Sequence, residues 1–140
     1  MRSDALGEDG QISMILDQNS AFESFTVEVL AQIESQGSVA LNRDVSGKLY
    51  ANTTGIRDPD GKHISTSHYT GWTTLAAETI NGVNNVLWEY TPTGKLSYWN
   101  TDESWSWTSS FGEYYDGSTD YYTAETRFGV DVNQDGTIGE

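Results

Sequence analysis

Turn chemistry recurs through the middle of this chain at short intervals, and that spacing limits the fold more than any other feature. Asp44-Val45-Ser46-Gly47, Asp58-Pro59-Asp60-Gly61, Asn81-Gly82 and Thr91-Pro92-Thr93-Gly94 each place residues that favour turns beside a glycine free to take positive φ. The runs between them are short and carry apolar or aromatic side chains. Residues 38–41 and 48–52 read as a hairpin across the first turn. Residues 71–79 carry Trp72, Leu75 and Ala77, and residues 86–90 pair back across Asn81-Gly82. Residues 95–100 return with Leu96, Tyr98 and Trp99, and Trp105 and Trp107, two apart, are expected on one face of a further strand. This pattern predicts a mainly β chain: an antiparallel meander forming a sandwich or an open barrel, not a series of βαβ units.

The two ends differ from the middle. Residues 1–11 are rich in Gly and acids and read as a flexible lead-in, leaving residues 12–140 as one domain of ordinary size. Residues 12–16 read as a strand and residues 17–20 as a turn. The stretch 25–34 supports two readings. Phe25, Val27, Val29, Ala31 and Ile33 alternate as in a half-buried strand, whereas Phe22, Phe25, Val29, Leu30 and Ile33 share a helical face behind a Ser20/Glu23 capping box. The Thr and Val content favours the strand. Near the other end, Tyr121, Glu125 and Phe128 recur at helical spacing. A short helix over residues 120–129 is expected there, with Ser118, Thr119 or Asp120 as N-cap.

That helix would lead into Asp131-Val132-Asn133-Gln134-Asp135-Gly136-Thr137-Ile138-Gly139. Side-chain oxygens at loop positions one, three and five, a glycine at six and a carbonyl at seven match the opening of an EF-hand-like calcium loop. Asp131, Asn133, Asp135 and the Thr137 carbonyl are the candidate ligands. The bidentate glutamate of position twelve would fall at residue 142, beyond Glu140, so a weak site is expected, with Glu125, Asp102 or Glu140 as substitute carboxylates.

Composition narrows the partners. A net charge of −14 with seven Lys and Arg argues against nucleic acid and anionic membrane surfaces. No apolar run approaches the ~20 residues that cross a bilayer. Without cysteine there is no disulfide framework, zinc–thiolate site or thiol nucleophile. His63 and His68 are the only histidines, and no third metal ligand or triad partner stands at a meaningful spacing. The chain is therefore read as non-catalytic. Five tryptophans admit stacking against sugar rings; Trp105 and Trp107, flanked by Ser and Thr, are the candidates for an exposed ligand-binding pair.

Several landmarks occur in a fixed order: Ile33-Glu34-Ser35-Gln36-Gly37-Ser38, Leu41, Gly47-x-x-Tyr50, Gly71-Trp72-Thr73, Ala76-Ala77-Glu78, Val86-Leu87-Trp88, Trp99-Asn100-Thr101-Asp102, and Glu125-x-x-Phe128 before the acidic ending. Residues 33–139 thereby resemble the tryptophan-rich C-terminal domain of the Synechocystis type. Two departures stand out: the Trp105-Ser106-Trp107 pair and an acidic, aromatic stretch from residue 113 to 122. The resemblance implies no reaction. It implies an extracellular or cell-surface setting in bacteria, within large surface or secreted proteins that include ones carrying calcium-binding nonapeptide repeats. The expected role is a structural or adhesive module stabilised by calcium. The alternatives are a carbohydrate-binding module and a self-association module that pairs with neighbouring copies.

Overall fold

The computed structural model describes residues 30–139. The expected strand at 12–16, the turn at 17–20 and the first part of the 25–34 stretch lie outside the described residues. Among the described residues the first strand is β1 (Ala31–Glu34), which agrees with the strand reading of that part of the 25–34 stretch. There follow β2 (Leu41–Arg43), β3 (Leu49–Ala51), β4 (Thr54–Gly55), β5 (Trp72–Ile80), β6 (Val83–Tyr90), β7 (Lys95–Thr101), β8 (Trp107–Tyr114) and a helix, α1 (Thr119–Phe128). Among the described residues the strands form two four-stranded antiparallel sheets, in the orders β1-β2-β3-β4 and β5-β6-β7-β8. The expected meander is therefore split into two sheets, and neither closes into a barrel. Asn81 and Gly82 have φ of 52° and 80° and close the β5–β6 hairpin as its tight turn requires.

The second sheet is the central layer. Val86 and Trp88 enter one apolar cluster with Leu41, Leu49, Ile56 and Ile64 from the first sheet and its loops. Leu87, between them, enters the opposite cluster with Tyr121, Ala124 and Phe128 of α1. Burial on both faces explains why residues 85–88 form an unbroken buried run where a one-sided sheet would alternate. A bulge between Thr74 and Ala76 puts Leu75 and Ala76 on the same, helix-facing side of β5.

Three of the loops are one local device. Asp44 Oδ1 accepts the N–H groups of Ser46 and Lys48 at 3.0 and 2.9 Å. Asp58 Oδ1 accepts those of Asp60 and Lys62 at 2.9 and 2.8 Å, and Asp102 Oδ1 those of Ser104 and Ser106 at 2.9 and 3.0 Å. In each, the aspartate N–H donates to the carbonyl four residues on, and the fourth residue donates back to the aspartate carbonyl. These bonds favour the ionised carboxylates. Asp44 sits well below the usual range through the Ser46 hydroxyl, with Tyr50 adding to it. Asp102 is lowered through the Ser106 N–H. For Asp58, burial alone would raise the carboxyl, and the Lys62 N–H, His68 and the Asp60 N–H together bring it down.

The fourth position of this turn needs positive φ. Gly47 and Gly61 supply it at 91° and 80°, while the third copy has Trp105 at 65°. Trp105 is thus in the turn before β8 and not on a strand with Trp107, which corrects the expectation that the two indoles share a face. It is 7% exposed and packed into the core between the sheets. Its carbonyl accepts the Arg57 N–H at 3.0 Å, and the Arg57 carbonyl accepts the Trp107 N–H at 2.9 Å, tying the turn to the end of the first sheet. Packing outweighs the left-handed strain, roughly 1–2 kcal/mol.

At the edge of β5, Glu34 and Glu78 come together. Gln36 N–H donates to Glu34 Oε2 and Ser38 N–H to Glu78 Oε1, while Glu34 Oε1 and Glu78 Oε2 are buried without a partner among the described residues. Burial pushes the Glu34 carboxyl above its ordinary value. The Gln36 N–H opposes this, and the Glu78 charge adds to it.

Two expectations follow for stability. Trp105→Ala will destabilise the domain by about 3–5 kcal/mol in chemical denaturation, and Trp105→Gly by about 1 kcal/mol less because the strain is relieved; Trp107→Ala will cost clearly less than either. For Glu34, a raised folded value means that ionisation opposes folding. The contribution therefore becomes more favourable as pH falls through that value and levels off below the unfolded value. Glu34→Gln will raise the melting temperature at pH 7, and the gain will vanish by about pH 3.

Candidate functional site

The C-terminal loop is built around one buried carboxylate. Ser118 caps α1, its hydroxyl accepting the Tyr121 N–H, and Gly129 ends the helix in the left-handed region at φ 69°. Glu125, within the last turn, is 0% exposed. Its Oε2 accepts the Val132 N–H at 2.8 Å and the Asn133 N–H at 3.4 Å, and its Oε1 accepts the Gly139 N–H at 3.0 Å. One side chain thus holds both ends of the loop against the helix.

Within the loop, two of the expected ligands, Asp131 and Asn133, share one donor. Asp131 Oδ1 and Asn133 Oδ1 both accept the Asp135 N–H, each at 3.2 Å. Asp131 Oδ2 accepts the Gly136 N–H at 2.9 Å, and Asp135 Oδ1 accepts the Thr137 N–H at 2.9 Å. Asn133 Nδ2 donates to Asp116 Oδ1 at 3.0 Å, so the β8–α1 turn adds a carboxylate that the sequence did not single out. The negative field is felt nearby: burial, then the charges of Asp116 and Glu125, push the Tyr121 hydroxyl far up.

An EF-hand-like loop is not shown by this ending; it is a series of side-chain-to-backbone turns folded onto α1. Of the substitute carboxylates, Glu125 is engaged by backbone N–H groups through both oxygens, and Asp102 stabilises its own turn through Oδ1. No cluster of three or more His, Cys, Asp or Glu groups with metal-holding geometry occurs among the described residues.

A second feature lies on the central sheet, where the first sheet leaves it uncovered. Tyr69, Trp72, Trp88, Ser97, Trp99, Trp107, Ser110 and Pro59 line a cleft of about 290 Å³. Trp88 and Trp99 are buried with centroids 4.9 Å apart, and Tyr69 sits edge-on to both at 5.7 and 6.1 Å. Trp72 and Trp107 are half-buried. Trp107 Nε1 donates to Ser110 Oγ at 2.7 Å, which fixes the indole, and Ser97 Oγ donates to the Phe111 carbonyl at 2.8 Å. Trp88 Nε1 is buried with no partner among the described residues. Of the two expected ligand-binding indoles, Trp107 is in this cleft and Trp105 is in the core. Trp72, Trp88 and Trp99 also form the cleft. The signal lay in cross-strand register, Val86 opposite Trp99 and Trp88 opposite Ser97, which the sequence does not state.

The histidines serve the loops. His63 Nε2 bonds the Leu49 carbonyl at 2.8 Å, and His68 Nε2 bonds Asp58 Oδ2 at 2.9 Å.

Residues 39–139 match the family model of the tryptophan-rich Synechocystis species C-terminal domain. The chain belongs to that family. The match takes in both sheets except β1, together with α1 and the acidic ending, and begins six residues after the expected boundary at residue 33. Comparison with curated proteins finds no match, and comparison with solved structures finds none. In this tryptophan-rich domain no helix among the described residues is long and apolar enough to cross a membrane.

Glu125→Leu tests the loop anchor. With the N–H groups of Val132, Asn133 and Gly139 left without an acceptor, stability will fall by at least about 2 kcal/mol. Amide exchange at residues 132–139 will accelerate more than exchange in β6.

Proposed function

We propose that this tryptophan-rich domain is a non-catalytic structural or adhesive module of a bacterial extracellular or surface protein, and that calcium bound by its C-terminal loop stabilises it. The observation that carries the reading is the convergence of Asp131 Oδ1 and Asn133 Oδ1 on a single N–H, with Asp116 drawn in by Asn133. Oxygen donors of this kind suit a hard cation that takes six to eight oxygens. Asp131, Asn133, Asp135 and the Thr137 carbonyl would hold the ion, with Asp116 as a further carboxylate. Glu125 would position the loop from behind. The net charge of −14 supports the same reading, because a cation relieves the repulsion gathered there. The structural use of both histidines supports a role without catalysis.

A site of this kind has the weak affinity of extracellular modules, roughly 10⁻⁴ to 10⁻³ M. A ligand that binds only the folded state stabilises it by mass action, about 1.4 kcal/mol at ten times the dissociation constant. Adding 10 mM calcium to EDTA-treated protein will therefore raise the melting temperature by several degrees, and Asp131→Asn/Asp135→Asn will remove the increase. An unchanged midpoint with calcium present rejects the calcium reading.

A further inference from the structure

We propose that the aromatic cleft on the central sheet is a binding site for a neutral saccharide. Its volume of about 290 Å³ is at the lower end of small-molecule sites. That is room for one or two sugar rings with their outer hydroxyls in water. Trp72 and Trp107 retain exposed ring surface at its sides, and Trp88 and Trp99 form an apolar base. Indole faces of this kind take the C–H face of a pyranose ring and exclude water from it.

The polar groups in the lining decide the class of ligand. Ser97 spends its hydroxyl hydrogen on the Phe111 carbonyl, so its oxygen remains an acceptor toward the cleft. Ser110 accepts from the Trp107 indole, so its O–H remains free to donate. One acceptor on β7 and one donor on β8 complement a hydroxyl, or two neighbouring hydroxyls, of a sugar. The Trp107–Ser110 bond also holds the stacking ring in place before the ligand arrives, which lowers the entropy cost of binding.

Other ligand classes fit less well. An anion finds no Lys or Arg in the lining among the described residues, and Lys95, near the Trp72 ring, is already paired with Glu113 at 3.2 Å on a chain of net charge −14. A cation finds the Trp72 face already taken by Lys95, whose Nζ lies over the ring at 5.9 Å, and no carboxylate lines the cleft among the described residues. A wholly apolar ligand would cover both serine hydroxyls without partners for their remaining capacity.

The test is titration of the protein with cellohexaose, laminarihexaose, chitohexaose, maltohexaose and mannohexaose, followed by tryptophan fluorescence and calorimetry, in calcium and in EDTA. At least one saccharide is expected to bind. Trp72→Ala and Trp107→Ala should each weaken it roughly tenfold or more, as loss of a stacking anchor does. Ser110→Ala, which leaves every ring in place, should weaken it several-fold and keeps the test valid if an indole variant fails to fold. Binding that persists in EDTA would show that the cleft acts apart from the calcium loop, so the two readings can fail separately. No binding of any of the five at 10 mM would overturn the proposal. So would affinity unchanged in the Trp72, Trp107 and Ser110 variants, or binding of tetramethylammonium with none of the sugars.

Discussion

An aspartate bonded to its own backbone shapes most of this domain. At Asp44, Asp58 and Asp102 the carboxylate replaces two missing backbone partners and sends the chain back on itself within five residues. The first turn joins β2 to β3, and the third joins β7 to β8. The second begins beside Arg57, whose backbone holds both Trp105 and Trp107. Each device is local, so the turns can form before the sheets they organise. The same type of bond returns at Asp131, Asn133 and Asp135, now condensed into one loop. A strongly acidic composition thus has a structural side, since many of its carboxylates are acceptors for the backbone.

Where these devices use common letters, the sequence was readable. Asp-x-Ser-Gly and Asp-Pro-Asp-Gly spell their turns, and Asn81-Gly82 spells its hairpin. Asp102-Glu103-Ser104-Trp105 has the same hydrogen bonds with a tryptophan in the glycine position. Local propensity assigns Trp105 to a strand, and only the tertiary gap between the sheets explains its presence in the turn. β4 leaves no sequence signal because two residues cannot show a period. The helix was recognisable because its cap and its buried face agreed.

The two candidate sites differ in the same way. The acidic loop is contiguous, so its ligand types and spacing could be read directly, although Asp116 could not. The cleft gathers residues from between positions 59 and 110, and each of its tryptophans, taken alone, looks like ordinary core. Trp88 and Trp99 are core and cleft at once, because a half-covered sheet face needs large rings in both roles. From sequence alone, Glu125 is a substitute metal ligand. It instead fixes the loop, an assignment that needs the positions of three backbone N–H groups.

The central sheet has a consequence for how the domain comes apart. Val86 and Leu87 are neighbours on one strand, yet each belongs to a different apolar cluster. Neither cluster keeps its second wall if β6 leaves. The helical layer with its acidic loop and the outer sheet with its turns are therefore bound to one melting event, although they touch different faces. Whatever stiffens the loop at one end should be felt as slower opening at the other, transmitted by a wall the two halves share.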